Sequence, residues 1–137
     1  MPTEAEWNYA AAGGSEQREY PWGSGIDYSY AAYGCGAAGS SSDCTLDDII
    51  NVGTKPKGNG KWGHADLGGD VWEWNWDWYG DYEKFCNNCA NLTTASSRVI
   101  RGGGFVNHAF LLRSAYRTYD SPSGRWHVGG GRCARTP

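Results

Sequence analysis

Tryptophan occupies every second position in Val71-Trp72-Glu73-Trp74-Asn75-Trp76-Asp77-Trp78-Tyr79. A strict period of two is typical of a β-strand, because successive side chains of a strand point to opposite faces of its sheet. One face of this strand would consist almost entirely of indole rings, and four aligned indoles left in water would promote aggregation. We therefore predict a strand over residues 71–79 whose tryptophan face packs in the core.

Shorter elements surround this strand. Residues 97–100 and 104–106 read as two short strands on either side of the Gly102-Gly103 turn. Residues 20–43 are rich in Gly, Ser and Tyr, which is typical of turns and loops. We therefore predict a loop-rich α+β fold with short strands and few helices.

One segment near the start of the chain has the pattern of a helix. Thr3 and Glu6 have the spacing of a capping box, and Gly13-Gly14 ends the Ala-rich run that follows. We predict a helix over Glu4–Ala12 that buries Trp7 together with Ala10-Ala11. A weaker helical turn is predicted at residues 45–50.

Length and composition exclude several classes of protein. The chain has 137 residues with 39% hydrophobic and 15% aromatic residues, which excludes a disordered chain. Its 21 Gly lack the three-residue period of collagen. No apolar run is long enough to span a bilayer, and no pattern of a signal peptide is present. We predict a single domain over residues 1–137 with no membrane partner.

The charge is distributed unevenly along the chain. Residues 1–97 hold 5 Lys and Arg against 14 Asp and Glu, a net charge of −9. Residues 98–137 hold 7 Arg against Asp120 alone, a net charge of +6. These arginines are spaced among Gly and aromatic residues, a pattern that does not favour nucleic-acid binding. We predict instead that they pair with carboxylates of the acidic part.

Five cysteines leave two interpretations open. Cys35 lies near Cys44, and Cys86 lies near Cys89, so two local disulfides would leave Cys133 as a small buried apolar residue. Disulfides would indicate an extracellular or periplasmic location. The alternative gathers the first four cysteines around a zinc ion.

Acidic residues around two glycines suggest a metal site. Asp66 and Glu73 flank a tight Gly turn that can aim the carbonyls of Gly69 and Val71 inward. Calcium takes six to eight oxygen ligands of these kinds, so the spacing predicts a calcium site. The alternative is that these acids pair with the Arg-rich tail.

Seven motifs are spread along the chain in a fixed order: Pro2-Thr3-Glu4-Ala5-Glu6-Trp7, Tyr20-Pro21-Trp22-Gly23, Val71-Trp72-Glu73-Trp74, Asp77-Trp78-Tyr79, Arg98-Val99-Ile100-Arg101-Gly102-Gly103, Arg113-Ser114-Ala115-Tyr116-Arg117 and Gly131-Arg132-Cys133-Ala134-Arg135. They resemble the motifs of the formylglycine-generating enzyme (sulfatase-modifying factor) family. The resemblance spans almost the whole chain and implies the C-type-lectin-like fold of a short bacterial member. The family domain normally begins upstream of the first motif, so its N-terminal part would be absent here. A sheet edge uncovered in this way favours a homo-oligomer or a partner strand.

The resemblance also bears on metals. Members oxidise a cysteine in the Cys-x-Pro-x-Arg motif of sulfatases with O2 and a Cu(I) ion that two thiolates hold. In this chain Asn107 and Leu112 stand at the two thiolate positions, and a soft ion needs soft ligands. The resemblance therefore implies that copper and the family's catalysis are lost. The family's calcium ligands fall on the four residues named above, which strengthens the calcium prediction.

The remaining resemblance is to variable proteins that use this fold as a display scaffold. It implies a non-catalytic ligand-binding module whose binding surface is residues 104–127. The candidate binding residues mix aromatic and small polar types as paratopes do: Asn107, His108, Phe110, Leu111, Tyr119, Trp126 and His127, with Ser121 and Ser123. The ligand is a protein, a peptide or a glycan. The alternative is a copper-dependent formylglycine-generating oxidase or another oxidoreductase of the sulfatase-modifying-factor type.

Overall fold

The computed structural model describes residues 1–35, 44–82 and 89–135. Within these residues it has one α-helix, α1, at Glu4–Ala12. The Thr3 hydroxyl accepts a hydrogen bond from the Glu6 N–H at 3.2 Å, and the Glu6 carboxylate accepts one from the Thr3 N–H at 2.8 Å. Gly13 ends the helix in the left-handed conformation, with φ +66°. The predicted helix and its capping box are confirmed.

Four short strands form a mixed sheet in the described part of the chain. They are β1 (Trp72–Trp78), β2 (Arg98–Arg101), β3 (Arg117–Asp120) and β4 (Gly129–Gly130). Their order across the sheet is β3-β2-β1-β4. β2 pairs antiparallel with both of its neighbours, and β4 lies parallel to β1. One helix and a short-stranded sheet joined by long loops confirm the α+β fold.

The sequence predicts two of these strands and misses the other two. β1 and β2 correspond to the predicted strands, and the predicted helical turn at residues 45–50 is a short 3₁₀ helix at Leu46–Asp48. The prediction of a strand at residues 104–106 is wrong, because the Asn107 side chain and the Gly104 backbone close a turn there. β3 and β4 escape prediction, since neither Arg-Thr-Tyr-Asp nor Gly-Gly carries an alternating apolar pattern.

The two faces of β1 are buried in the opposite sense from the prediction. The buried face is polar and consists of Glu73, Asn75 and Asp77. Trp76 on the other face is 47% exposed, and the tryptophans on either side of it are half-buried. The prediction of an indole face in the core is therefore wrong except at Trp72, which is buried. We call the side of Glu73 the inner face and the side of the four tryptophans the outer face.

A carboxylate of α1 explains how polar groups are buried on the inner face. Glu4 is buried and accepts hydrogen bonds from Arg117 Nε and Nη2, each at 2.8 Å. The fully buried Arg101 on β2 places its Nε 3.7 Å from the same carboxylate. The Tyr82 hydroxyl also donates to it, at 2.9 Å. A buried charge is tolerated only when it is paired in this way.

The other buried carboxylates of the inner face are satisfied as well. Asp77 accepts N–H groups from Glu4 at 2.7 Å and Asn91 at 2.8 Å. Glu73 accepts the Trp7 indole N–H at 2.7 Å and two hydrogen bonds from Arg132. The prediction that C-terminal arginines pair with carboxylates of the acidic part is confirmed.

Two small apolar clusters complete the core. Trp7, Ala11 and Leu67 pack between α1 and the loop before β1, as the predicted stripe requires. A second cluster joins the loop residues Tyr20, Ala31 and Leu112. Hydrogen bonds from Glu4 and Trp7 to the inner face also connect α1 to the sheet.

The cysteine interpretations separate in the structure. Cys35 and Cys44 form a disulfide. Cys89 is disulfide-bonded too, while Cys86 lies outside the described residues. These disulfides use thiols that the alternative zinc site would need. Cys133 is a free thiol and exposed, so the prediction of a buried residue is wrong.

Location follows only in outline from these findings. A disulfide fits an extracellular or periplasmic compartment. Across the described ranges, no helix has the length and apolar character needed to cross a membrane.

Candidate functional site

The first part of the predicted binding segment is held by backbone hydrogen bonds. The Gly34 N–H donates to the Asn107 carbonyl at 2.8 Å, and the Cys35 N–H donates to the Phe105 carbonyl at 2.7 Å. On the other side, the Phe105 N–H donates to the Asp70 carbonyl at 2.7 Å. Since Cys35 also carries the disulfide, this segment is tied on both sides to the body of the fold.

Asn107 itself has a local structural role. Its side-chain oxygen accepts the Gly104 N–H at 2.8 Å, and its own N–H donates to the Gly104 carbonyl at 2.9 Å. The side chain is half-buried and closes the turn that presents the following residues.

Aromatic rings follow directly after this turn. Phe110 is 51% exposed, and its ring meets Tyr116 edge-on at 6.0 Å between centroids. Tyr116 in turn lies against Trp72 at 6.2 Å. The exposed His108 stacks against Phe110 with 6.5 Å between ring centroids. The half-buried Leu111 lies with Phe110 on a 3₁₀ turn at Ala109–Leu112. The rings therefore connect this turn to the outer face of β1.

Trp126, near the end of the predicted binding segment 104–127, also contacts the outer face of β1. Trp126 is half-buried and packs edge-on against Trp74 at 5.9 Å. Its indole N–H is buried and has no partner among the described residues. His127 beside it is exposed. Trp126 thus extends the aromatic contact along β1.

β1 and β2 supply further aromatic and cationic side chains on the outer face, which the sequence does not predict to be exposed. The Arg98 guanidinium lies over the Trp76 ring at 5.1 Å and over the Trp78 ring at 4.1 Å. Arg98 also donates to the Trp76 carbonyl. The alternating tryptophans are the available signal, but their pattern predicts a core position. We call the combined patch the aromatic surface: Trp74, Trp76, Trp78, Arg98, His108, Phe110, Tyr116 and Trp126.

Tyr119 is not brought to the aromatic surface. It pairs in register with Val99, and its ring lies 4.3 Å from Tyr79, which shares the inner side of the sheet. Ser121 and Ser123 hydrogen-bond to each other at 2.9 Å on the exposed turn after β3. The predicted binding residues are thus divided between two sides of the sheet.

The four residues predicted to bind calcium lie around a tight turn. Asp66 is in the left-handed conformation, with φ +55°, and accepts the Gly53 N–H at 2.7 Å. Each carboxylate oxygen of Glu73 accepts an N–H from Arg132, and one also accepts the Trp7 indole. The Gly69 N–H donates to the Gly102 carbonyl at 2.9 Å, and Val71 is half-buried.

This arrangement does not fit an oxygen cage around calcium. A calcium ion would need free Glu73 oxygens as ligands, but the Arg132 guanidinium is hydrogen-bonded to both of them. Nowhere in residues 1–35, 44–82 and 89–135 do three His, Cys, Asp or Glu side chains gather as metal ligands. We therefore derive no role for calcium from this site; calcium binding stays a sequence prediction, which this arrangement of Glu73 and Arg132 does not favour.

Burial and neighbouring charges shift two pKa values near this turn. Burial alone lowers the pKa of Arg132, but the hydrogen bonds and the charge of Glu73 outweigh it and raise that pKa. Burial raises the pKa of Asp70 against the opposing effect of the Ile50 N–H, and the neighbouring charge of Asp66 raises it further. Arg132 is thus firmly charged beside Glu73, whereas Asp70 is a buried carboxyl group with a weaker set of partners.

The residues at the expected copper positions do not fit a copper ion. Asn107 uses its side-chain oxygen on the Gly104 N–H. Leu112 is fully buried against Tyr20 and Ala31. An amide that is already hydrogen-bonded and a buried hydrocarbon offer no soft ligand. We derive no reaction through copper.

Comparison with known proteins places this arrangement in a family. The profile of the sulfatase-modifying factor enzyme 1-like domain matches residues 1–137. The chain is 34% identical to serine/threonine-protein kinase pkn1 of Chlamydia caviae, over 98% of this chain and 21% of that protein. It is 31% identical to the formylglycine-generating enzyme of Streptomyces coelicolor, over 98% of this chain and 46% of the enzyme.

A solved structure shows the same fold. Treponema denticola variable protein 1 superimposes with a TM-score of 0.74 at 30% identity, over 96% of this chain and 45% of that protein. The chain spans less than half the length of these relatives. Its fold is therefore the formylglycine-generating-enzyme-like fold, and the chain belongs to the sulfatase-modifying factor enzyme 1-like family.

Proposed function

We propose that this protein is a non-catalytic ligand-binding module on a formylglycine-generating-enzyme-like scaffold. Its binding surface is the part of residues 104–127 that joins the aromatic surface. The observation that carries the proposal is the exposed Phe110, whose ring is in contact with Tyr116 while its backbone follows a fixed turn. Aromatic anchors at the centre of an interface supply most of its binding energy.

A fixed backbone favours such a role. The turn at Asn107 is tied to Gly34 and closed by Gly104, so binding costs little ordering of the chain. Rigid aromatic side chains beside adaptable polar ones are typical of paratopes, and His108 and His127 supply the polar part. The likeness to a variable protein supports the same interpretation.

Selection of binders tests this proposal. A displayed peptide library and a glycan array would be screened on the wild-type protein, and each ligand measured again on Phe110→Ala. We expect affinity to fall by about tenfold or more, as for an aromatic hot spot. Val52→Ala, which truncates an 84% exposed side chain of a different loop, is the matched control and should leave affinity unchanged. Ligands that bind Phe110→Ala as tightly as wild type would contradict the proposal.

The alternative function is a copper-dependent oxidase, since a formylglycine-generating enzyme is among the relatives. Incubation with copper, O2 and a Cys-x-Pro-x-Arg peptide tests it, with mass spectrometry for the aldehyde product. We expect no conversion beyond that of a matched peptide with Ser in place of Cys. Enzyme-dependent conversion of the Cys peptide would sink the non-catalytic proposal.

A further inference from the structure

A pocket of about 340 Å³ opens between α1 and the chain that follows β1. It lies on the side of the sheet that carries α1, and Trp78 of the aromatic surface also lines it. Its polar and aromatic lining includes Glu4, Asn8, Tyr9, Gln17, Asp77 and Asp81, together with Tyr82 and Arg117. Concave sites of this size with converging polar groups are the usual places for small ligands.

The pocket carries an excess of negative charge. Asp77 is 5% exposed, and both of its oxygens accept backbone N–H groups rather than a cation. Asp81 is exposed, and no cation of the described residues lies within salt-bridge distance of it. Arg117 is the one lining cation of the described chain, and it shares the Glu4 carboxylate with the buried Arg101. Asp77 and Asp81 form no ion pair with a described residue, so the three carboxylates exceed the two arginines by one negative charge.

Two side-chain amides of the pocket keep a free acceptor oxygen. The Asn8 side-chain nitrogen donates to the Ser114 carbonyl at 2.9 Å, and the Gln17 nitrogen donates to the Gly14 carbonyl at 2.9 Å. Each nitrogen keeps a second N–H, and the amide oxygen of each side chain keeps its capacity to accept. Together with Asp81, these oxygens suit a ligand that donates several hydrogen bonds.

Aromatic rings complete the lining. Tyr9 is largely exposed, and its ring is fixed by parallel stacking on Trp62 at 5.2 Å. The Tyr82 ring already contacts a cation, because the Arg117 guanidinium lies 4.3 Å from its centre. Rings of this kind attract cations through their negative faces. The contact between Arg117 and Tyr82 is thus an example, within this pocket, of the contact that a cationic ligand would make with a ring.

We propose that this pocket binds a guanidinium or ammonium group, carried by a basic peptide side chain or by a small free amine. Asp81 pairs with the cation at the rim, the amide oxygens of Asn8 and Gln17 accept its N–H groups, and the Tyr9 ring covers its apolar stem. The site does not depend on the proposed function, because the four residues assigned to the cation belong neither to residues 104–127 nor to the aromatic surface.

Calorimetric titration of the 137-residue protein tests the pocket. The probes are the peptide acetyl-Gly-Arg-Gly-amide, its citrulline counterpart, and agmatine. Citrulline keeps the shape of arginine without the charge, so we expect its peptide to bind about tenfold more weakly or not at all. Binding by the arginine peptide alone assigns the ligand to a peptide, and binding by agmatine as well assigns it to the cationic group itself. Equal binding of the citrulline peptide, or no saturation with either cation up to about 10 mM, would overturn the proposal.

Two variants locate the site. Asp81→Asn and Tyr9→Ala change exposed side chains and should each weaken the arginine peptide by about threefold to tenfold. Asp47→Asn is the matched control, because Asp47 is exposed on the separate 3₁₀ helix at Leu46–Asp48. It should leave the affinity unchanged. Equal losses in Asp81→Asn and Asp47→Asn would mean attraction to overall charge and would refute the pocket.

Discussion

The inner and outer faces of β1 are built from alternating residues of one strand, yet their burial follows opposite rules. Glu73 and Asp77 on the inner face are buried because arginines, an indole or backbone N–H groups complete their hydrogen bonds. Trp76 on the outer face stays half in solvent, with the Arg98 guanidinium over its ring. Hydropathy alone does not decide the burial of these carboxylates, since their hydrogen-bond partners make it possible.

The largest expected effect comes from removing the central charge of the inner face. Glu4→Gln leaves Arg101 and Arg117 without their shared carboxylate, and Arg101 is fully buried. We expect the free energy of unfolding to fall by about 3–5 kcal/mol. Urea unfolding followed by tryptophan fluorescence measures it. The control is Glu19→Gln, which breaks the exposed pair with Arg113 and should cost less than about 1 kcal/mol.

Equal losses in the two variants would remove the distinction between buried and exposed pairs. A loss confined to Glu4→Gln would show that the inner face depends on pairing.

A smaller loss is expected at the indole that reaches into the same face. Trp7→Phe keeps an aromatic ring in the cluster with Ala11 and Leu67 but removes the N–H that Glu73 accepts. We expect a loss of about 1–3 kcal/mol in the free energy of unfolding. Trp62→Phe, at an exposed indole stacked on Tyr9, is the control and should change stability little. Equal stability of Trp7→Phe and wild type would mean that this hydrogen bond is not needed.

The outer face should tolerate truncation. Trp76→Ala removes an indole that is 47% exposed, so we expect a loss of about 1 kcal/mol or less. Thermal unfolding monitored by circular dichroism measures it. A loss as large as that of Glu4→Gln would show that the outer face is core after all, as the alternating pattern predicts.

Asp70 is a buried carboxyl group whose raised pKa makes the free energy of unfolding depend on pH. The pKa of Asp70 is raised by burial despite the Ile50 N–H, so the folded state holds this proton more tightly than the unfolded state. Its contribution to stability is therefore full below the unfolded pKa of about 4 and is lost as the pH rises through the folded pKa. Asp70→Asn keeps the acceptor for Ile50 and removes the charge.

We expect Asp70→Asn to be more stable than wild type at pH 7, by less than about 1 kcal/mol, and to lose this advantage near pH 3. Urea unfolding at both pH values measures the difference. An advantage that is the same at both pH values would contradict titration of Asp70 as its cause.

The smallest expected effect concerns calcium. Arg132 occupies both oxygens of Glu73, so the melting temperature should be the same, within about 1 °C, in calcium and in a chelator. Differential scanning calorimetry of the wild type measures it. A large stabilisation by calcium would mean that the ion displaces Arg132 and that the carboxylate is available after all.

The sequence predicts local elements well because their signals are local. The capping box at Thr3 and the period of β1 both lie within a few residues, and both are confirmed. The side on which β1 is buried depends on Glu4 and Arg101, which lie far away along the chain. β4 consists of glycines alone, so no side chain could signal it. The sequence predicts the part of the aromatic surface that lies in residues 104–127. It does not predict the part on β1, because the alternating pattern places those tryptophans in the core.

The pairing of Glu4 with Arg117 spans most of the chain, since 113 positions separate the two residues. Folding of such a chain is expected to be slow, because distant segments must meet before they stabilise one another. During synthesis, which proceeds from the N-terminus at about 5–20 residues per second, α1 leaves the ribosome well before Arg101 and Arg117. The Glu4 carboxylate of α1 therefore remains solvated during synthesis until Arg101 and Arg117 emerge and can pair with it.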